Sequence, residues 1–292
     1  MKYEKKFNFD NYSTKRISYI LATKNRAVLL AKALQRVNKL KKENDELIVV
    51  DGASSDSTLD VINNHKEIVD KYISEPDLSP AHAVNKAILI SVGKYIKLLT
   101  DDDFVYLKPM HKAITIMENC PDIDILDCGG ILYNTVSKKI SVIYKPLGAN
   151  FSKNIDNLFK YRSNGMGIII RRASLARLGL FPIDLIGDAT FLVNAFKSKA
   201  VIKFCRLKLY KHVIHEENIS CGADISNLIY NVIKKNASKT YFLRYSINWY
   251  ISKYSLLKFV LLPVIFSNKI VKNIFLKKTT TKPIYKWDGS FS

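Results

Sequence analysis

Between Arg16 and Phe104 the chain alternates apolar runs of strand length with segments of helical period. "RISYILAT", "ELIVVDG", "KYIS" and "KYIKLLT" are rich in β-branched and other apolar residues, and each runs into a polar segment. Between them, "RAVLLAKALQRVNKL" sets Val28, Leu29, Ala31, Leu34 and Val37 at helical spacing. "DSTLDVINNH" predicts a helix capped by Asp56, and "SPAHAVNKAILISV" one capped by Ser79 with Pro80 in its first position. Nearly continuous apolar strands alternating with helices predict an α/β fold, a mostly parallel sheet covered on both faces. Ligands of such sheets bind beyond the carboxyl ends of the strands. Those ends here carry "ATKNR", "DGASSD", "SEPD" and "TDDD".

The last of these packs Asp101, Asp102 and Asp103 behind a buried strand, in a chain with 46 basic against 26 acidic residues. Like charges so placed repel, which costs stability. One aspartate suffices for a turn or helix cap. Three beside other polar loops suit a divalent cation, Mn2+ or Mg2+, bound through hard oxygen ligands with positions left for phosphate oxygens. Asp51 ends the second strand, where Gly52 permits a sharp turn.

The formal charge of +20 favours anionic partners. A nucleic-acid-binding protein would satisfy it, but no recognition motif accompanies the charge, so no nucleic-acid partner is expected. Neither GxGxxG nor GxxxxGK[ST] occurs, which argues against a dinucleotide fold and a P-loop NTPase. A nucleotidyltransferase on a similar scaffold would show a glycine-rich phosphate loop, and "ATKNRAV" has none. Cys120, Cys128, Cys205 and Cys221 lack zinc spacing and read as reduced structural thiols. The first 16 residues contain no apolar run of signal-peptide kind. The most apolar segment, "YSLLKFVLLPVIF", is too short to span a bilayer and is interrupted by Lys258 and Pro263.

Beyond Phe104 the pattern loosens. "KPMHKAITIMEN" predicts a helix, "DIDILDCGGILYN" and "KKISVIYKP" a pair of strands, and "GDATFLVNAFKSK" a helix beginning near Asp188. Three regions follow: 14–104, 105–222 and a basic helical tail, 223–292. About half of the charge excess falls after Ala223.

The ordered segments "ISYILATKNRAVLLAKAL", "ELIVVDGASSDSTLDVI", "YISEPDLSPAHAVNKAI" and "GKYIKLLTDDD" resemble the GT-A glycosyltransferases of family 2, in particular a bacterial inverting subgroup with VVDGGS-type and SEPD segments. The resemblance implies a GT-A (Rossmann-like) sheet with an acceptor-side subdomain, a nucleotide-sugar donor (a UDP-sugar), and a glycan or polyprenyl-diphosphate-linked acceptor. It places Ala22, Thr23, Asn25, Asp51, Asp77 and Lys86 around the donor, with Asp51 on the base. Asp101 would face the ribose, and Asp102 and Asp103 the Mn2+ or Mg2+, although a pairing of Asp101 with Asp102 or with Asp103 also fits the motif. Asp188 matches the catalytic base, with Asp184 as its nearest competitor. His215 matches a histidine near the metal, with Ser220 following and His212 as the alternative. The sequence departs from the family pattern at Gly52, Ala53, Ser79, His82 and Ala87, which bears on donor identity rather than fold, and Gly187 stands where the family has a glutamate before the base.

In the tail, Lys253, Lys258, Lys269, Lys272, Lys277 and Lys278 interleave with apolar and aromatic residues, including Trp249. That composition predicts amphipathic helices on an anionic membrane, or else a helical cap on the catalytic domain. With the resemblance, it implies a cytoplasmic protein held peripherally on the inner face of the cell membrane.

Overall fold

The computed structural model describes residues 15–146, 154–215 and 225–253. The first half builds four parallel strands: β1 (Lys15–Thr23), β2 (Glu46–Asp51), β3 (Lys71–Ser74) and β4 (Gly93–Leu99). Their connections carry helices α1 (Ala27–Leu40), α2 (Thr58–Asn63) and α3 (Pro80–Ile90). Ser79 caps α3 as expected, its hydroxyl accepting the His82 N–H at 3.2 Å with Pro80 in the first turn. Asp56 accepts the Thr58 N–H, but α2 starts one residue later than its cap position would give, at Thr58 after Ser57.

The second half adds β5 (Phe104–Val105), α4 (Leu107–Asn119), β6 (Ile125–Asn134), β7 (Ile140–Ile143), α5 (Asp156–Lys160), β8 (Ile168–Arg171), α6 (Leu175–Leu178), α7 (Gly187–Lys197) and β9 (Ile202–Ile214). All strands join one sheet in the order β3-β2-β1-β4-β8-β6-β9-β5, with β7 hairpinned to β6. β8 runs antiparallel between β4 and β6, and β9 lies parallel to β6, so the sheet is mixed yet largely parallel. Helix α8 (Ile225–Asn236) closes the first compact unit. A second unit begins at Ala237 and contains α9 (Lys239–Lys253).

Strand alternation divides the core. Tyr19 and Leu21 of β1 pack with Leu30, Leu34 and Val37 of α1 and Met110 and Met117 of α4 on one face. Ile20, between them, packs with Ala83 and Ala87 of α3 and Phe191 and Leu192 of α7 on the other. Each fully buried aliphatic side chain contributes about 1.5–3 kcal/mol. This two-sided burial is the physical origin of the unbroken apolar runs.

The described part of the tail holds two helices of different pattern: apolar residues of α8 sort to one face, whereas the sequence of α9 shows no such sorting. Residues 254–292, with the rest of the expected membrane segment, lie outside the described residues. Among the described residues no helix is long and apolar enough to cross a membrane.

Candidate active site

A cleft of ≈ 770 Å³ opens at the carboxyl ends of β1 and β4. Sheet register explains why these residues meet. Thr23 of β1 pairs with Asp51 of β2, and Leu21 with Leu99 of β4, so the chain just past β4 lies level with Thr23. The Thr23 hydroxyl accordingly donates to Asp101 Oδ2 at 2.9 Å. β8 is antiparallel to β4 with Ile169 opposite Lys97. The loop just before β8, including Gly165, therefore emerges on the same sheet edge as the aspartates. Its Gly165 N–H donates to Asp188 Oδ2 at 2.8 Å. Thus Asp188, in the first turn of α7, lines the same cleft as Asp101, Asp102 and Asp103.

Asp101 and Asp102 share one cationic partner, whereas Asp103 has its own. Arg26 Nη1 donates to Asp101 Oδ1 at 2.8 Å and to Asp102 Oδ2 at 3.1 Å. His215 Nε2 lies 3.1 Å from Asp102 Oδ2. Asp103 is buried against β9: its carboxylate meets His212 Nδ1 at 2.9 Å and accepts the Val213 N–H at 2.8 Å. The cause is the short β5 strand, which pairs Phe104 with Lys211 and carries Asp103 to the end of β9. The carboxylates of Asp102 and Asp103, expected together at the metal, thus turn to different partners here.

The neighbouring groups are also pushed apart in acidity. Burial raises the Asp101 carboxyl, against the pull of Arg26. Burial acts on Asp102 too, but Arg26 and His215 beside it hold it below the usual carboxylate range. Asp102 is thus the member best suited to stay ionised toward a cation. Burial works against the Arg26 guanidinium, yet the charges of Asp101 and Asp102 hold it above its ordinary range. The hydrogen bond to Asp103 raises the His212 imidazole.

Among the described residues no three His, Cys, Asp or Glu side chains converge as a complete metal site. A Mg2+-type ion, however, takes one or two carboxylates and completes its shell with water and substrate phosphates. Asp102 and His215 fit that smaller donor set.

Ala22, Thr23, Asn25, Asp77 and Asp101 line the cleft as expected, together with Asp184, the competitor to Asp188. Asp184 instead accepts the Ile186 N–H at 2.9 Å, shaping the turn into α7. Two of the expected donor residues have other protein partners. Asp51 is 0% exposed, and its carboxylate accepts the Ser54 N–H and hydroxyl and, at 2.7 Å, the Ser74 hydroxyl. These bonds shape the loop after β2. Lys86 pairs with Asp77 at 2.8 Å and Glu75 at 2.9 Å, away from the cleft lining. It fixes the "SEPD" turn. Gly52 matters because a Cβ there would stand 3.1 Å from both Asp77 Oδ2 and the Lys24 side chain. Ser220 lies outside the described residues.

Sequence reasoning missed Arg26 and Lys97. Arg26 sits at the amino end of α1, where a cation opposes the helix dipole and no acid occupies the first turn. That local mismatch was a legible sign of a distant acidic partner. Lys97, fully buried on β4, donates to the Met166 and Ile168 carbonyls of the Gly165 loop, and burial pulls its ammonium down to about 8. Nearby, the buried Lys145 donates to Asp127 at 2.8 Å and to the Tyr161 carbonyl at 2.9 Å, and Asn164 donates to the Tyr210 hydroxyl at 2.7 Å. These buried polar groups hold the loop that holds Asp188.

The family model described as Glycosyl transferase family 2 matches residues 18–177. A Campylobacter jejuni GalNAc(5)-diNAcBac-PP-undecaprenol beta-1,3-glucosyltransferase is 25% identical over 216 residues, 71% of this chain and 68% of that protein. An uncharacterized glycosyltransferase of Methanocaldococcus jannaschii is 30% identical over 115 residues, 38% of this chain. The matched region spans only 40% of that protein and 42% of a Haemophilus influenzae relative. S. aureus TarS 1–349, solved with UDP-GlcNAc, superposes with TM-score 0.60 at 16% identity over 84% of this chain and 75% of that one. PcManGT of Pyrobaculum calidifontis, solved with GDP-Man and Mn2+, superposes with TM-score 0.53 at 17% identity over 70% of this chain and 58% of that one. At these identities the structural likeness establishes the fold.

Proposed function

The chain belongs to glycosyl transferase family 2, and from that premise we propose that it transfers a sugar, with inversion, from a UDP-sugar donor to a hydroxyl of a glycan or polyprenyl-diphosphate-linked acceptor. The observation that carries the reading is the convergence of Asp188 and the Asp101–Asp102 pair on one cleft. Chemistry of this type needs a base for the acceptor hydroxyl and a separate electrostatic anchor for the leaving diphosphate. TarS in complex with UDP-GlcNAc and PcManGT in complex with GDP-Man and Mn2+ support the donor class. The name of the C. jejuni relative supports the acceptor class.

In this reading Ala22, Thr23, Asn25 and Asp77 border the nucleotide, and Asp101 faces its ribose. Asp102 and His215 hold the divalent cation, which when bound offsets charge on the departing diphosphate. Arg26 and Lys24 supply further positive charge at the same end. Asp188 accepts the proton of the attacking hydroxyl, and the Gly165 N–H keeps its carboxylate oriented. The basic tail favours an anionic membrane surface on the cytoplasmic side, which would bring the enzyme to a lipid-linked acceptor.

Transfer from UDP-sugars in the presence of Mn2+ tests the assignment. Asp188→Asn is expected to lower the transfer rate by about 10²–10⁴-fold, the usual contribution of a general base, while UDP binding is kept. Undiminished transfer by that variant would remove Asp188 from the mechanism.

A further inference from the structure

A second hollow of ≈ 330 Å³ runs between α7 and α8, and Asp184 lines both it and the main cleft. Its walls are two helix faces at regular spacing. Thr190, Asn194 and Lys197 come from α7, and Asn231 and Lys235 from α8. Lys197 and Lys235 are its cations, and Asp184, at the junction, is the one acid among its described lining residues. The Asn236 Oδ1, also on the wall, is buried without a hydrogen-bond partner among the described residues. Amide and hydroxyl groups beside two cations suit a sugar that carries a phosphate.

We propose that this groove binds a phosphate-bearing acceptor, whose nucleophilic hydroxyl reaches Asp188 while its phosphate pairs with Lys197 and Lys235. The proposal rests on the transferase reading above. Lys197 stands nine residues along α7 from Asp188, about 13 Å at the helical rise and half a turn around the axis, so the acceptor would pass the amino end of α7 beside Asp184. The phosphate and the attacked hydroxyl are therefore separated by an oligosaccharide stub rather than by one ring. The phosphate could belong to a lipid-linked diphosphate or to a phosphodiester-linked glycan, and the two sources separate experimentally.

The test titrates the full chain, with UDP at saturation to fill the donor end, against inorganic pyrophosphate and geranyl diphosphate by calorimetry. Both probes are expected to bind, and the Lys197→Ala/Lys235→Ala double variant to bind them about 10-fold or more weaker at unchanged UDP affinity. Arginine at both positions is expected to keep the binding. Tighter binding of geranyl diphosphate supports a lipid-linked source, and equal binding supports recognition of phosphate alone. Equal affinity in the wild type and the double variant, or no binding of either probe to the wild type, overturns the groove. Failure of UDP to bind is a different result. It overturns the transferase reading, and the groove is still decided by comparing pyrophosphate titrations of the two proteins without UDP.

Discussion

The parallel part of the sheet, β1 to β4, and the mixed part, β6 to β9, deliver functional groups to one edge by different means. In the parallel part, strand ends do the positioning. Thr23, Asp51 and Ser74 lie in one row across β1, β2 and β3, and Asp101 follows β4. In the mixed part Asp188, in the first turn of α7, is oriented by the Gly165 loop, and that loop is held from below by Lys97, Lys145, Asp127 and Tyr210. Hydrophobic strands fix position cheaply because apolar packing has no stringent partner requirement. Buried polar supports fix orientation as well, but each depends on every partner being in place.

The difference predicts how the two parts fail. Lys145 is 1% exposed on its side chain and Asp127 0%. Lys145→Met leaves that carboxylate buried without its cation and is expected to cost about 3–5 kcal/mol in urea unfolding. In the molecules that remain folded, transfer should fall while UDP binding persists. Parallel loss of UDP binding would break the comparison.

A smaller effect sharpens it through pH. His212 has a folded-state pKa raised by Asp103, so its contribution to stability is fully present below the unfolded value, about 6.5. It is lost as pH rises through the higher folded value, by about 1.4 kcal/mol for each unit of displacement. Melting temperature measured from pH 5 to 9 should show this decline in the wild type and lack it in His212→Gln. The smallest change is a gain. Ala53 lies at φ 58°, in the left-handed region. Ala53→Gly should therefore stabilise the parallel part by about 0.5–1 kcal/mol, read as a raised midpoint in the same denaturation assay.

The two parts also differ in what their sequence discloses. The parallel sheet, its helices, the Ser79 cap and the aspartates at the strand end were legible, because continuous apolar runs and caps are local signals. Asp188 was legible as the start of a helix, and the family resemblance supplied its proposed role. What the sequence did not disclose is where these side chains turn, which depends on partners elsewhere in the chain. Asp51 is consumed by Ser74, 23 residues on, and Asp103 by His212, 109 residues on. Lys86 matched a motif position, yet its ammonium turns back to the adjacent acidic loop. No local pattern records which way a carboxylate or an ammonium will turn.

One consequence of the strand order concerns the making of the chain rather than its chemistry. Every strand that pairs with β6 follows it in sequence: β7, β8 and β9. β4, by contrast, completes a four-stranded parallel sheet with strands already synthesised. A growing chain that has reached Asn134 therefore holds a finished parallel sheet beside a ten-residue strand still waiting for its neighbours. Four residues, Ile168–Arg171, join the two by bridging β4 to β6. Pulse-labelled refolding should accordingly protect the amides of β1 and β2 before those of β6, and simultaneous protection would show that the two parts fold as one.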